Sequence, residues 1–372
     1  MIEQYRHLGI FSDWVTEAKK KADLYPEANP GPQTRSLIRE ILGFAATDEN
    51  PQNVNIENRW EKDGLMGEEV SWSVGYGPRT QAYLIKPANA NRRLPGIVAL
   101  HDHSDFKYYG KEKIADSLHE PLPILDEFRK TSYGGRAYAN ALAREGFVVL
   151  VHDVFLWGSR RFPLETMLEM MGSVTTNLLS HQQPMNEIEF YNIAAYFHEH
   201  WVSKYCNILG TNLAGVVAFE DRVAMNYLLS RTDVDSEHGG CIGLSGGGNR
   251  AAMLNALHEK VRAAVIVGLM TTYPALLDHN MSHTWMLFPF GWSRHGDWPD
   301  LAASRAPSPL LVQYNLQDDL FTEDGMRAAH VRLQTHYANQ PDSYTGQFYP
   351  GPHKFDLEMQ IAAFDWLKKQ LR

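Results

Sequence analysis

The stretch 238–252, which reads HGGCIGLSGGGNRAA, constrains the fold of this chain more than any other. Its first half is apolar and ends in GLSGG at 243–247, and its second half consists of small and helix-forming residues. The pattern G-x-S-x-G between a buried strand and a helix is typical of a sharp turn that lifts a serine hydroxyl above the edge of a sheet. Such a turn strains the serine backbone, so the positions two before and two after it favour glycine.

Ser245, at the centre of this pattern, is a candidate nucleophile, because the following helix points N–H groups and the positive end of its dipole at the hydroxyl. The same sequence is also compatible with a glycine-rich turn or a phosphate-binding loop. A dinucleotide-binding loop needs G-x-G-x-x-G with an acidic residue about 20 positions later, and a P-loop ends in Lys-Ser or Lys-Thr. The stretch lacks that Lys-Ser/Thr ending. Taken alone, the pentapeptide leaves the nucleophile and the glycine-rich turn open.

Composition excludes several other classes of protein. The chain has 372 residues, 44% of them hydrophobic and 21% charged, as in globular proteins with a large core. Its net charge is −9 and no basic run exceeds 19–21, so nucleic acid is not an expected partner. No window approaches 18 apolar residues and no signal peptide is visible, so no membrane association is expected. Two cysteines, Cys206 and Cys241, are expected to be reduced thiols of a cytoplasmic protein.

Apolar runs alternate with helical stretches along most of the chain. Residues 54–87 contain three strand patterns that end at Gly or Pro, which suits an antiparallel entry to a sheet. Strands covered on both faces are predicted by continuous apolar runs at 94–100, 146–151, 240–244, 263–269 and 309–314. Helical stretches separate these runs. The pattern therefore predicts an α/β fold with a mostly parallel central sheet and helices on both faces.

Three segments fall outside this alternation. Residues 1–53 are predicted to form an N-terminal helical extension, and residues 54–372 are predicted to form one domain. Within that domain, 162–210 is rich in Met and aromatic residues and predicts a helical insertion, placed where a lid over an active site would lie. An ordinary pair of packed helices explains these side chains at least as well. The loop 273–298 is also long, and long loops are often functional.

An acid that could support the serine follows the apolar run 309–314. A serine hydroxyl becomes a nucleophile when a base takes its proton and an acid orients that base. Asp318 and Asp319 come just past the run, at the sheet edge where Ser245 is expected. Asp318 is preferred because it lies third after the turn residue Asn315. The other aspartate would be a solvated turn residue or a helix cap.

The base and the oxyanion donors are predicted at the same edge. His353 lies in a Pro/Gly turn after the last predicted strand, 343–349, and is the candidate base. A tetrahedral intermediate also needs two N–H donors for its oxyanion. One is expected from Gly246, the residue after the serine. The other is expected from Asp102 or His103, in the loop after the first continuous apolar run.

The same loop raises a metal-binding alternative. His101-x-His103 after a strand is similar to the start of a zinc amidohydrolase site, and further histidines occur at His152 and within 279–283. Zinc needs three or four convergent ligands, and these histidines are not in the order of a barrel site. No metal or other cofactor is therefore expected.

With these residues placed, the chain resembles the α/β-hydrolase superfamily over about residues 54–372. Within the superfamily, the chain is most similar to the dienelactone-hydrolase and acetyl-xylan-esterase-like branch, and the segments that carry this similarity are 101–114, 133–161, 230–235 and 350–355. Two departures stand out. His-Asp-His-Ser replaces the His-Gly-Gly type of oxyanion loop, and the serine lacks the G-x-S-Q-G surroundings common in acetyl-xylan esterases, so xylan acetate is not implied.

The resemblance implies hydrolysis of a carboxylic ester through an acyl-enzyme, with a small acyl or carbohydrate-type ester as the small-molecule partner. Trp157, Trp285 and Trp292 are candidates to stack on a sugar or aromatic leaving group, or else pack in the interior. Amidase, peptidase and acyltransferase activities use the same triad, and some members of the fold bind ligands without catalysis. Association of the chain into a homo-oligomer stays open.

Overall fold

A nine-stranded sheet forms the centre of the computed structural model, which describes residues 5, 7–44, 48–169, 186–277 and 279–372. In chain order the strands are β1 (Gln52–Lys62), β2 (Leu65–Ser73), β3 (Thr80–Pro87), β4 (Leu94–Leu100), β5 (Val148–His152), β6 (Val234–Leu244), β7 (Val261–Val267), β8 (Leu310–Asn315) and β9 (Tyr344–Tyr349). Their spatial order is β1-β2-β3-β5-β4-β6-β7-β8-β9. Strands β1, β2, β3 and β5 pair antiparallel in turn, and every pairing from β5 to β9 is parallel. The predicted antiparallel entry to a mostly parallel sheet is confirmed.

The burial of each strand follows its position in the sheet. Every residue of β4, β5 and β8 is buried, as expected for parallel strands covered by helices on both faces. Strand β1 is exposed along most of its length, and its register with β2 shifts twice. Such irregularity is a common way to protect an edge strand from pairing with other chains.

Helices cover both faces of the sheet and create two hydrophobic cores. The described helices are α1 (Asp13–Lys21), α2 (Pro32–Leu42), α3 (Pro123–Ser132), α4 (Tyr138–Arg144), α5 (Glu187–Ile208), α6 (Leu213–Ser230), α7 (Gly246–Leu257), α8 (Tyr273–Leu276), α9 (Trp298–Ala303), α10 (Glu323–His336) and α11 (Leu357–Leu371). One core contains residues of α2, α6, α7, α9 and α10, and the other contains residues of α4 and α11. Along β5, Leu150 faces the first core while Val149 and Val151 face the second, because side chains alternate along a strand.

The amino-terminal helix α2 packs on the main sheet domain. Helix α2 buries Ile38 and Leu42 in the first core and ends at Gly43, whose φ of 63° is the left-handed value usual after a helix. The carbonyl of Leu42, at the end of the helix, accepts a hydrogen bond from Thr211 Oγ1 at 2.7 Å. The helical character predicted for this segment is observed in α1 and α2, while the domain division at residue 53 stays a prediction.

The predicted helical insertion is described in part. Residues 164–169 are helical, α5 begins at a capping box formed by Asn186 and Glu189, and 170–185 lie outside the described residues. Helix α5 buries one side, which includes Tyr191, His198 and Glu199. Among the described residues, none of the helices combines the length and apolar character that crossing a membrane requires.

Candidate active site

Ser245 lies in the turn between β6 and α7 with a strained backbone. Its φ is 57° and its ψ is −123°, and its N–H donates to the carbonyl of Val267 at 2.9 Å. A Cβ on Gly243 would collide with the backbone of Gly247, and a Cβ on Gly247 would collide with the carbonyl of Leu100. The two glycines are therefore required by close backbone approach, and they let the chain pass through the strained serine.

An aspartate and a histidine from neighbouring strand ends are hydrogen-bonded to each other. Oδ2 of Asp318, in the loop after β8, lies 2.6 Å from Nδ1 of His353, while its Oδ1 accepts from the N–H of Leu320 at 2.9 Å. The Asp318 side chain is 1% exposed and that of His353 is 22% exposed. Asp319 is exposed and contributes its backbone carbonyl to His279. The structure thus pairs Asp318, and not Asp319, with His353.

The ring of His353 lies beside the end of β7. A Cβ placed on Gly268 would be 3.0 Å from Cε1 of His353, and Gly268 directly follows Val267, which binds the N–H of Ser245. Because Nδ1 is engaged by Asp318, Nε2 is the nitrogen left for the serine. Nε2 is buried and makes no hydrogen bond within the described part of the chain. Catalytic hydrogen bonds are often long before substrate binds and shorten in the Michaelis complex.

The loop after β4 brings a backbone amide against the start of α7. A Cβ on Gly246 would lie only 2.7 Å from the backbone nitrogen of His103. Asp102 is turned into the core, where its carboxylate accepts from Lys113 Nζ at 3.2 Å and from the hydroxyl of Tyr133. Of the two expected second donors, His103 is the one whose backbone nitrogen lies against Gly246, while the carboxylate of Asp102 anchors the loop.

The charge of the Asp102 anchor is maintained inside the protein. Complete burial would raise the pKa of its carboxyl, but the ammonium of Lys113 and the hydrogen bonds from Ser104 and Tyr133 outweigh burial and leave that pKa below its ordinary value. Asp102 thus stays ionised and holds the loop by charge-assisted hydrogen bonds.

A cleft of about 510 Å³ lies next to this loop. Its lining includes His103, Tyr196, Glu199, His283, Trp285 and Phe288. Burial lowers the pKa of His283 to about 4. The cleft borders the loop after β4 at His103, and the insertion helix α5 forms part of its wall through Tyr196 and Glu199.

An apolar cavity of about 310 Å³ adjoins the cleft. The two spaces share Met281, Trp285 and Phe288, while Tyr25 of the N-terminal extension also lines the cavity. The predicted extension and insertion therefore both contribute to the surroundings of the site.

The three predicted substrate-binding tryptophans occupy different environments. Trp285 is 40% exposed and lines both the cleft and the cavity, with its Nε1 donating to His200 at 2.8 Å. Trp157 and Trp292 are buried in the first core. Trp157 packs against the ring of His103, in the loop after β4, with 5.1 Å between the two ring centroids. Stacking on a substrate requires an accessible ring face, which the structure provides for Trp285 and removes for the other two.

The histidines of the metal-binding alternative have separate partners. His152 binds Asp221 at 2.9 Å, His103 binds Glu199 at 2.8 Å, and His283 binds the carbonyl of Leu320 at 3.1 Å. In the described ranges, no three His, Cys, Asp or Glu side chains are grouped so as to hold a metal ion. These positions do not support the zinc-site interpretation.

Comparison with known proteins agrees with the fold. No family model matches the chain. A Bacillus subtilis protein named "Putative hydrolase YtaP" is 20% identical over 312 residues, covering 83% of this chain and 88% of that protein. Acetyl Xylan Esterase 1 from Thermoanaerobacterium sp. JW/SL YS485 superposes with a TM-score of 0.58 at 14% identity, covering 94% of this chain and 97% of that one. A glucuronoyl esterase from Solibacter usitatus gives 0.61 at 14% identity, covering 92% of each chain. The chain has the α/β-hydrolase fold, as the resemblance implied.

Proposed function

We propose that this α/β-hydrolase-fold protein is a serine hydrolase that cleaves carboxylic esters, of small acyl or carbohydrate type, through an acyl-enzyme. One observation carries the proposal: the strained Ser245 precedes Gly246, which lies against the His103 backbone nitrogen, and its N–H binds Val267, whose neighbour Gly268 lies against the His353 ring. The esterases among its structural neighbours are consistent with this chemistry.

The geometry supports a two-step reaction. Nε2 of His353 takes the proton of Ser245 Oγ as that oxygen attacks the acyl carbon, and the N–H groups of Gly246 and His103 stabilise the oxyanion. Asp318 accepts from Nδ1 and stabilises the imidazolium. The imidazolium then gives its proton to the leaving alcohol. In the second step His353 activates water, which attacks the acyl-enzyme and releases the acid.

The cleft and the cavity beside the loop after β4 favour an ester that carries a ring. Trp285 offers a partly exposed indole at the boundary of the cleft and the apolar cavity, and indoles pack well on sugar faces and aromatic rings. Polar groups also line the cleft, including Tyr196 and His200, which suits a hydroxylated substrate. Carbohydrate esters and aryl esters are the classes to test first.

The test compares Ser245→Ala with Ser230→Ala, an exposed serine at the end of α6. We expect Ser245→Ala to lower kcat on p-nitrophenyl acetate by at least about 10⁴-fold, because the triad acts as a unit. A fluorophosphonate should label the wild type and Ser230→Ala at Ser245 and leave Ser245→Ala unlabelled. Full esterase activity in Ser245→Ala would refute the serine mechanism. Faster cleavage of an anilide series than of matched esters would indicate an amidase, and loss of activity with a chelator would favour the metal alternative.

A further inference from the structure

One carboxylate of the insertion helix α5 connects three segments around the site. Glu199 Oε2 accepts from Nε2 of His103 at 2.8 Å and from Nζ of Lys107 at 2.5 Å. Its Oε1 accepts from Oγ1 of Thr284 at 2.8 Å and from the N–H of Trp285 at 2.9 Å. The oxyanion loop, α5 and the loop that carries Trp285 therefore meet at a single side chain.

Glu199 is ionised although it is buried. Its side chain is 5% exposed, so burial raises the pKa of the carboxyl. The charge of Lys107 and the interactions with His103 outweigh burial and hold that pKa well below its ordinary value. Both oxygens already accept two hydrogen bonds each, so Glu199 has little capacity left to exchange a proton with a substrate. Its contacts indicate a structural connection to the reacting groups.

The imidazole of His103 is held in one orientation. Its Nδ1 accepts from the N–H of Asp105 at 3.1 Å, which leaves Nε2 to carry the hydrogen that it donates to Glu199. The ring also packs edge-on against Trp157, with 5.1 Å between the centroids. Three neighbours thus determine the position of a side chain whose own backbone N–H faces Gly246.

The loop needs such support because its backbone is strained. Ser104 has a φ of 48° and Asp105 a φ of 49°, values that residues other than glycine seldom adopt. Two consecutive left-handed residues persist when the surroundings fix them, and such strain is frequent at functional sites. Local support comes from the N–H of Phe106, which donates to the carbonyl of His103 at 3.1 Å. Support from outside the loop reaches His103 through Glu199, through Trp157, and through Lys113 Nζ, which donates to the His103 carbonyl at 3.4 Å.

We propose that Glu199 is a positioning residue of the oxyanion hole: by holding the His103 imidazole, it fixes the His103 N–H beside Gly246 where the oxyanion develops. The helical insertion then completes the active site instead of only covering it. This inference rests on the proposed ester hydrolysis at Ser245.

The first test replaces Glu199 with Met, which keeps the length of the side chain and removes both acceptors. The matched control is Glu187→Met, an exposed position twelve residues earlier in α5, about 18 Å along the helix. We expect kcat on p-nitrophenyl acetate to fall about 10- to 100-fold in Glu199→Met with KM within about twofold, as for a displaced transition-state donor. The rate of fluorophosphonate labelling should fall by the same factor. Glu187→Met should match the wild type.

A second variant controls for the possibility that Glu199→Met does not fold. Glu199→Met leaves Lys107 buried without its counter-ion, whereas Glu199→Met combined with Lys107→Met removes both charges together and is better tolerated. Thermal melting reports which variant is folded. The folded variant is expected to show the same loss of kcat, because the acceptor for His103 is missing in both.

A double-mutant cycle with His103→Ala separates positioning from general loosening of the structure. If Glu199 acts through the His103 ring, then Glu199→Met adds no further loss of kcat to His103→Ala. The inference would be overturned if the losses of kcat in the two single variants multiply in the double variant. It would also be overturned if a folded Glu199 variant keeps the kcat of the wild type. Activity that survives Ser245→Ala would instead overturn the proposed function itself, so the two failures are distinguishable.

Discussion

Adding one methyl group at Gly246 should separate the two amides of the oxyanion hole. A Cβ at this position would lie 2.7 Å from the backbone nitrogen and 2.8 Å from the Cβ of His103, whereas ordinary contacts begin at 3.4 Å. The strained turn at Ser245 and the anchored loop at Asp102 leave little freedom on either side. Gly246→Ala must therefore move the loop or the start of α7 by about 0.7 Å, the difference between 3.4 and 2.7 Å.

Moving the two amides apart should slow the reaction, because their N–H groups must be correctly placed to stabilise the transition state. Misplacing a group by about 1 Å costs about 10²-fold in rate, and losing one oxyanion donor costs 10²–10³-fold. We expect kcat for p-nitrophenyl acetate to fall by about 10²-fold in Gly246→Ala, equivalent to about 2.7 kcal/mol in the barrier. KM should change little, because the ground-state carbonyl makes weaker use of the amides than the oxyanion does.

Gly239→Ala serves as the control. This glycine lies in β6, six residues before Ser245, and its Cβ would approach the side chain of Leu229 and the carbonyl of Lys260, each at 3.1 Å. Urea unfolding should show a loss of stability in both variants, while the large loss of kcat should be confined to Gly246→Ala. The reasoning is refuted if a folded Gly246→Ala enzyme keeps kcat within about threefold, or if Gly239→Ala loses as much.

Three further predictions concern the acid, a buried histidine and the tryptophans. Asp318→Asn should lower kcat by about 10⁴-fold and Asp319→Asn by less than about twofold. Equal losses in the two variants would contradict the proposal that Asp318 is the acid of the triad. Burial lowers the pKa of His258 to about 4 from an ordinary 6.5, so the folded state favours the neutral ring. The stability that this provides is complete above pH 6.5 and is lost as pH falls toward 4, by on the order of 2–3 kcal/mol. Urea unfolding between pH 4.5 and 7.5 should show a shallower decline in His258→Asn, and an unchanged decline would disprove the assignment. Trp285→Ala should raise KM for aryl esters several-fold without lowering Tm, whereas Trp292→Ala should cost about 3–5 kcal/mol of stability; a stability loss confined to Trp285→Ala would reverse these roles.

Local patterns in the sequence were sufficient to predict the strands and the order of the site residues. The run predicted at 94–100 is β4, Leu94–Leu100, because a strand buried on both faces must be apolar at every position. The elbow at Ser245 could be recognised because close backbone approach restricts its neighbours to glycine. Parallel strands end at one edge of a sheet, so Asp318 could be expected near His353.

Helix α3, Pro123–Ser132, was not predicted, although Pro in its first turn and an apolar face that buries Leu125 are local signals of a helix. Other features had no local signal. Residue type does not distinguish the three tryptophans. The packing of distant segments buries Trp157 and Trp292 and leaves Trp285 partly exposed.

The sequence by itself determined the class of fold, the strained serine and the order of acid and base, because strand period, turn sterics and strand ends are local or follow from topology. Only the tertiary structure shows that the backbone nitrogen of His103 lies beside Gly246 and that its ring binds Glu199. Glu199 is 96 positions from its histidine partner, and a contact over that separation depends on how the insertion helix packs against the sheet domain. A lone glutamate in a helix carries no sign of such a contact.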